Sequence, residues 1–266
     1  MSNTFDERFV LDETAKTHVI YDEHIIRYEL AKGFVQGKTV LDIACGSGYG
    51  SNILAGAGAK KVTGMDVDED ALDGARKKFV SDNLEFKKGN GLDLGEYGFD
   101  VVISFETIEH LQEGEKFLSE LAKAVKDDGI VIISTPNKEV FLEKNPYHVR
   151  EYTKEEFENL LKKYFSDFRI IEQHNGMASF LKMGAGESRV VFSNETRPAY
   201  FVAICSKKKL PELPEENFFS INEAALDNLY KNPGMRLVNA IYSLSVKIPG
   251  SRTLIKMVKK AMSSRV

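Results

Sequence analysis

The stretch Val40-Leu-Asp-Ile-Ala-Cys-Gly-Ser-Gly-Tyr-Gly50 constrains the chain more than any other. An apolar run passes into closely spaced glycines and then into a helical pattern. At the carboxyl end of a parallel strand the backbone turns sharply, and glycine permits both the turn and the close approach of a ligand. Apolar runs at Thr39–Ile43, Lys61–Asp66, Leu84–Lys88, Phe99–Ser104 and Gly129–Ser134 alternate with helical patterns at Ser51–Ala55, Glu69–Val80, Glu113–Val125 and Lys154–Phe165. Such alternation implies right-handed crossovers and a parallel sheet covered on both faces. The last runs, Phe168–Gln173 and Tyr200–Cys205, are joined without a clear helix, which permits an antiparallel return. A leading helix is expected over His18–Val35.

The glycine spacing is Gly46-x-Gly48-x-Gly50, and Ser51 stands where a dinucleotide fingerprint needs its third glycine. Asp42 precedes the turn; a carboxylate there is poor company for a pyrophosphate and suits a cationic ligand. This points away from NAD and toward a cofactor carrying ammonium and sulfonium charges. The next strand ends in Asp66, placed to accept hydrogen bonds from two ribose hydroxyls. The third ends at Gly89-Asn90-Gly91, where an amide and a bare backbone could read an adenine edge. The plain alternative is an ordinary strand–helix turn with Asp66 and Asp68 as helix caps; Asp68 is read as only that. Cys45 is expected to be a small buried residue, since no local basic group lowers its pKa.

These residues resemble the class I S-adenosylmethionine-dependent methyltransferases over about residues 18–207. The resemblance implies an α/β, doubly wound, mostly parallel seven-stranded Rossmann-like sheet with an antiparallel last strand. It further implies that Asp42, Gly46 and Gly48 line the methionine end of the cofactor and Asp66 the ribose, with Ala44 also among the cofactor-binding residues. Val67, Asn90 and Gly91 would serve the adenine, and Phe105 is also expected to bind the cofactor. Many relatives carry Asp at the position of Asn90.

The fourth strand runs into Phe105-Glu-Thr-Ile-Glu-His110, and a helical turn there would put Glu106, Glu109 and His110 on one face. A further histidine, His148, follows the fifth strand in Asn145-Pro-Tyr-His-Val-Arg150. The pattern is similar to a methyltransferase subset that binds a divalent metal, including quinone-precursor and small-RNA O-methyltransferases. It implies Glu106, Glu109, His110 and His148 as ligands for Mg²⁺, Mn²⁺ or Fe²⁺, with His148, Glu106 and His110 as the catalytic set. The alternative leaves His110 packed under the sheet, Glu109 capping it, and His148 alone as base. Arg27 and Tyr28 on the leading helix could reach the cofactor carboxylate, but a solvated face is expected for them. His18 and His174 are expected to be structural, and Gly176–Arg197 is read as an acceptor lid.

Charge is distributed unevenly. Against a net −4, residues 228–266 hold eight basic and no acidic side chains, leaving −12 on the remainder. Residues 1–210 are read as the catalytic domain and 211–266 as a linker plus a basic amphipathic helical appendage over Ile221–Val266. The helix around Leu254–Met262 suits an anionic membrane surface or packing against Met235–Ile248. The acidic catalytic portion disfavours nucleic acid. Two cysteines, no apolar run of membrane-spanning length and a polar, acidic beginning lead to a cytoplasmic expectation.

The stretches GKTVLDIACGSGYG, SFETIEHL, STPNKE and NPYHVREYTKEEF look like bacterial methyltransferases of surface-polysaccharide biosynthesis. The expected acceptor is therefore a sugar or glycan hydroxyl, with a quinone precursor or other small molecule as alternative. A nucleoside-binding regulator is the non-enzyme alternative.

Overall fold

The computed structural model describes residues 19–95, 97–140, 145–175 and 197–213. The first four strands, β1 (Thr39–Ile43), β2 (Lys61–Asp66), β3 (Leu84–Lys88) and β4 (Phe99–Ser104), form where the apolar runs stand. β5 (Val125–Pro136) begins earlier than the apolar pattern predicts. Val125 already pairs with Phe99, the register then shifts through the exposed Lys126–Asp128 stretch, and regular pairing resumes at Val101 and Ile130. β6 (Asp167–Gln173) and β7 (Tyr200–Ser206) complete the set.

The helices are α1 (Val19–Lys32), α2 (Tyr49–Gly56), α3 (Glu69–Lys78), α4 (Gly114–Ala124) and α5 (Lys154–Leu161). Asp68 starts α3 by accepting from the Asp70 and Ala71 N–H groups, the cap role read from the sequence. Thr153 and Glu156 start α5 with a reciprocal capping box. α3 and α5 stop short of their expected ends. Phe79 is already extended, and a tight turn after Leu161 folds Phe165 into the core.

One sheet has the order β3-β2-β1-β4-β5-β7-β6. All pairings are parallel except those of β7, which runs against both neighbours. Strand alternation sends Val40, Val62, Val101 and Ile103 to the face covered by α1 and α2. Leu41, Ile43, Val102, Val131 and Ile133 go to the opposite face, against Phe117, Leu121, Phe157 and Leu161 of α4 and α5. Burial on both sides explains the unbroken apolar runs Val101–Ile103 in β4 and Ile130–Ile133 in β5. β1 leads outward through β2 and β3, whereas the neighbouring β4 leads the other way through β5. The crevice above their carboxyl ends is thus a topological switch point, where open α/β sheets bind ligands.

Leu210 is buried and Leu213 packs beside it on the α1-side core, so the start of the expected linker is anchored to the domain. The helical appendage Ile221–Val266, all but Arg197 of the Gly176–Arg197 stretch read as a lid, and His18 lie outside the described residues. No helix among the described residues is long and apolar enough to cross a membrane.

Candidate functional site

At the tip of β1 the backbone is left-handed at Ala44 (φ 58°), Gly46 (φ 53°) and Gly48 (φ 77°). The two glycines serve different ends. A Cβ on Gly46 would meet nothing within 4 Å, so this position faces open space in the crevice. A Cβ on Gly48 would come 2.7 Å from Ala75 and the Phe86 ring, so its bareness lets α2 pack against α3 and β3.

Asp66 ties the first two strand tips together. Its Oδ2 accepts from the Gly46 N–H at 2.8 Å and its Oδ1 from the Asp68 N–H at 3.0 Å. A carboxylate offers about four lone-pair positions, so acceptor capacity remains for hydroxyl donors. The adjacent Val67 side chain is 59% exposed, a large apolar group at the mouth of the site. Asn90 is exposed and its Oδ1 accepts from the Leu92 N–H, shaping the turn after β3. A Cβ on Gly91 would strike Phe117 at 2.5 Å, so that glycine is required by core packing. These groups fit an adenosine with an extended amino-acid tail: acid, apolar shelf and open glycine turn stand at adjoining strand tips.

Asp42 lies deeper than the sequence suggests, at 1% exposure. Its carboxylate accepts from Ser51 Oγ at 2.6 Å and from the Tyr28 hydroxyl at 3.3 Å, joining α1 and α2 to β1. Burial pushes its pKa up to about 7, the Ser51 and Tyr28 hydrogen bonds oppose this, and nearby Asp66 adds to the rise. Cys45 is buried and its thiol is pushed up by burial, in keeping with an inert residue.

The solvated face expected for α1 is a correction. Arg27 is 1% exposed and Tyr28 is also buried, because α1 lies across the crevice. Tyr28 meets Phe105 edge-on at 5.0 Å, which buries Phe105 against α1. Arg27 Nε donates to Gln173 Oε1 at 2.8 Å, and its guanidinium lies 4.3 Å from the centre of the Tyr200 ring. Its Nη1 is 3.5 Å from Glu106 Oε1, and neither Nη atom has a hydrogen-bond partner among the described residues. Glu23 accepts from Tyr200 and Asn175, and burial raises its pKa. His24, beside Tyr49, is held down to about 3 by burial and by Arg27.

Glu106 is the second correction. It has a left-handed backbone (φ 50°) and precedes a 3-10 turn at Ile108–His110, so no shared helical face joins it to Glu109 and His110. Its Oε1 instead accepts from Ser134 Oγ at 2.6 Å and pairs with Arg27. Glu106 therefore belongs to the α1 side of the crevice, not to the cluster expected to ligate metal.

The remaining three do converge. Glu109, His110 and His148 each offer one ligand atom, all within 4.8 Å of one another. Thirty-odd residues separate the turn from His148, yet the Glu109 carbonyl accepts from the Val149 and Arg150 N–H groups at 2.8 and 3.0 Å, pinning the two segments. The histidine rings meet edge-on at 5.0 Å. His110 Nδ1 lies 3.1 Å from the Tyr147 carbonyl, so that nitrogen donates and Nε2 is left as the ligand atom. His148 Nδ1 lies 2.7 Å from Glu151 Oε1. Two imidazoles and a fully buried carboxylate fit a divalent cation, with Mn²⁺ or Fe²⁺ suiting the mixed donors better than Mg²⁺. Glu151 was missed in the sequence, where the only signal is its place three residues after His148.

The family model described as "Methyltransferase domain" matches residues 34–196. The chain is 31% identical over 154 residues to a Mycolicibacterium smegmatis protein named "Probable S-adenosylmethionine-dependent methyltransferase", covering 55% of this chain and 59% of that one. It is 33% identical over 135 residues to a Neisseria meningitidis protein named "Ubiquinone biosynthesis O-methyltransferase", covering 48% and 57% respectively. The chain thus spans less than two thirds of the length of either relative. Among solved structures, a SAM dependent methyltransferase from Archaeoglobus fulgidus aligns with a TM-score of 0.53 at 18% identity, over 68% of this chain and 93% of that chain. That likeness concerns the fold.

Proposed function

The chain belongs to the methyltransferase-domain family, and we propose that it moves a methyl group from S-adenosylmethionine to a hydroxyl oxygen of a small molecule with divalent-cation assistance. The observation that carries the oxygen and cation parts of this reading is the convergence of Glu109, His110 and His148 beside the β4 tip.

In this reading Asp66 takes the ribose hydroxyls, Val67 shelves the adenine, and the open turn at Gly46 admits the methionine chain. Ala44, Gly48, Asn90 and Gly91 shape the turns around them, and Phe105 holds α1 over the crevice. Asp42 supports the turn from beneath and supplies negative charge near a cationic donor. The Arg27 guanidinium, whose Nη atoms have no hydrogen-bond partner among the described residues, receives the donor's carboxylate, and Glu106, fixed by Ser134 and ion-paired with Nη1, orients it. The acceptor oxygen attacks the methyl carbon in line, the carbon–sulfur bond breaks, and its electron pair returns to sulfur. What the protein contributes is alignment and a route for the hydroxyl proton. Glu109, His110 and His148 would hold the cation, which lowers the pKa of a bound hydroxyl and orients it.

The similarity to the Neisseria meningitidis protein favours a quinone-precursor phenol as acceptor. A sugar or glycan hydroxyl is supported by the resemblance of the sequence stretches. Both classes offer neighbouring oxygens that one cation can grip. Contact of the basic tail with anionic membranes remains a separate proposal, tested by liposome flotation of the full chain.

The test is methyl transfer to a panel of catechols and sugar diols, read as one-methyl mass gain with release of S-adenosylhomocysteine. Activity that vanishes on chelation and returns with Mn²⁺ or Fe²⁺ is the expected result. Full activity in chelator contradicts the cation, and donor binding without turnover on any acceptor favours a regulator.

A further inference from the structure

Asn145, His148 and Glu151 form a chain of hydrogen bonds that fixes which ring nitrogen of His148 carries the proton. Asn145 Oδ1 accepts from the Tyr147 N–H at 3.0 Å, so the amide turns its Nδ2 toward His148 Nε2, 3.1 Å away. Nδ2 is a donor only, so Nε2 must be the acceptor and carry the lone pair. The proton is then on Nδ1, facing Glu151 Oε1 at 2.7 Å. The pair sits in a non-helical loop, with the two side chains 14% and 16% exposed, unlike a solvated surface ion pair.

We infer that Glu151 is a positioning residue for the Glu109–His110–His148 centre, holding the Nδ1 proton of His148 and leaving Nε2 as the ring's coordinating atom. The inference rests on the cation reading given above and adds a residue that reading does not use. The same logic operates at His110, where the Tyr147 carbonyl takes the place of a carboxylate. Both imidazoles thus have their Nδ1 protons fixed from outside the cluster, and both present Nε2. Outer groups of this kind set ring orientation and ligand strength at metal centres, and their loss typically weakens binding by about 10- to 100-fold. When Nε2 engages a cation, Asn145 has to release it, so Asn145 holds the ring only in the cation-free form.

The experiment compares the full wild-type chain with Glu151→Leu and Glu151→Gln, with Asn145→Ala, the double variant Asn145→Ala/Glu151→Leu, His148→Ala and His110→Ala as controls and Mn²⁺ alone as probe. Affinity is read by calorimetry and by the electron-spin signal of free Mn²⁺. The His148 tautomer is read from ¹⁵N spectra of the cation-free protein, assigned by comparison with His148→Ala. Expected is a His148 proton on Nδ1 in wild type and in Asn145→Ala, where Glu151 alone holds it, a mixture of tautomers in the double variant, and a loss of Mn²⁺ affinity of about 10- to 100-fold in Glu151→Leu. The Gln variant, whose amide oxygen still accepts the Nδ1 proton, should keep the wild-type tautomer and most of the affinity. A Leu variant that binds Mn²⁺ as wild type does, or a wild-type proton on Nε2, overturns the inference. If wild type and His110→Ala alike take up no Mn²⁺, the cation reading fails, while the Asn145→Ala spectrum still decides the role of Glu151. A Leu variant that does not fold leaves that spectrum and the Gln variant to decide.

Discussion

Ala44 and Glu106, at the carboxyl ends of the neighbouring strands β1 and β4, are the only non-glycine residues with a left-handed backbone among the described residues. They flank the switch-point crevice from its two sides. Backbone strain of this kind persists where the surrounding structure enforces it, and it concentrates at ligand sites. Ala44→Gly should relieve it. Stability is expected to rise by about 1 kcal/mol, partly offset by the freedom of glycine in the unfolded chain. Thermal unfolding of the two proteins checks this, and a lower midpoint for the variant would contradict it.

The separation of Glu106 from Glu109 gives a contrast between two similar substitutions. Glu109→Gln should weaken Mn²⁺ binding by roughly tenfold or more, equivalent to about 1.4 kcal/mol. Glu106→Gln should leave Mn²⁺ binding as in wild type and raise the KM for S-adenosylmethionine, because Arg27 loses its charged partner. Equal loss of Mn²⁺ binding in both variants would restore Glu106 to the cation centre.

Asp42 makes the stability of the ligand-free protein fall as pH rises. Its folded pKa is up at about 7, above the ordinary value, so folding favours the protonated carboxyl. The stabilisation is complete below about pH 4 and lost by about pH 7, a swing of roughly 4 kcal/mol at most. His24, held down to about 3, opposes the trend at acid pH, so the comparison is made against Asp42→Asn. The advantage of the Asn variant in denaturant unfolding should grow through this window. A difference that does not change with pH would contradict the assignment. Binding of the cationic donor should also expel the Asp42 proton, seen as buffer-dependent heats near neutrality.

Gly46 and Gly48 should part company on substitution by alanine. Gly48→Ala drives a methyl into Ala75 and Phe86 in a left-handed backbone, and should cost about 2–4 kcal/mol of stability. Gly46→Ala meets no neighbour and should cost about 1 kcal/mol from strain alone. Its methyl enters the open crevice, so donor affinity should fall by roughly tenfold or more. Calorimetric titration with S-adenosylhomocysteine alongside unfolding curves separates the two effects.

Much of this architecture is written in local sequence. The ends of β1 to β4 were read correctly: β1, β2 and β4 are buried along most of their length, and β3, an exposed edge strand, stops at the Gly89-Asn90-Gly91 turn. Asp66, Val67 and the glycine turn follow from their place at strand ends. What the sequence concealed depends on backbone and tertiary detail. Glu106 takes a left-handed backbone and meets Ser134 and Arg27 rather than the Glu109 cluster, and residue spacing carries no sign of it. Arg27 looks solvated on a polar helix, yet Gln173 and Tyr200 arrive from strands nearly 150 residues or more away to bury it. Glu151 needs the loop that the Glu109 carbonyl folds back on itself.

The most direct test of the whole arrangement is the line width of the ¹³C-methyl signal of S-adenosylmethionine bound to the protein, recorded with Mn²⁺ and again with diamagnetic Mg²⁺. With the donor at the β1 tip and the cation on Glu109, His110 and His148, the signal should broaden severely in Mn²⁺ and sharpen again in His110→Ala. A methyl signal of the same width with either ion, in a protein shown to hold both donor and Mn²⁺, would contradict it.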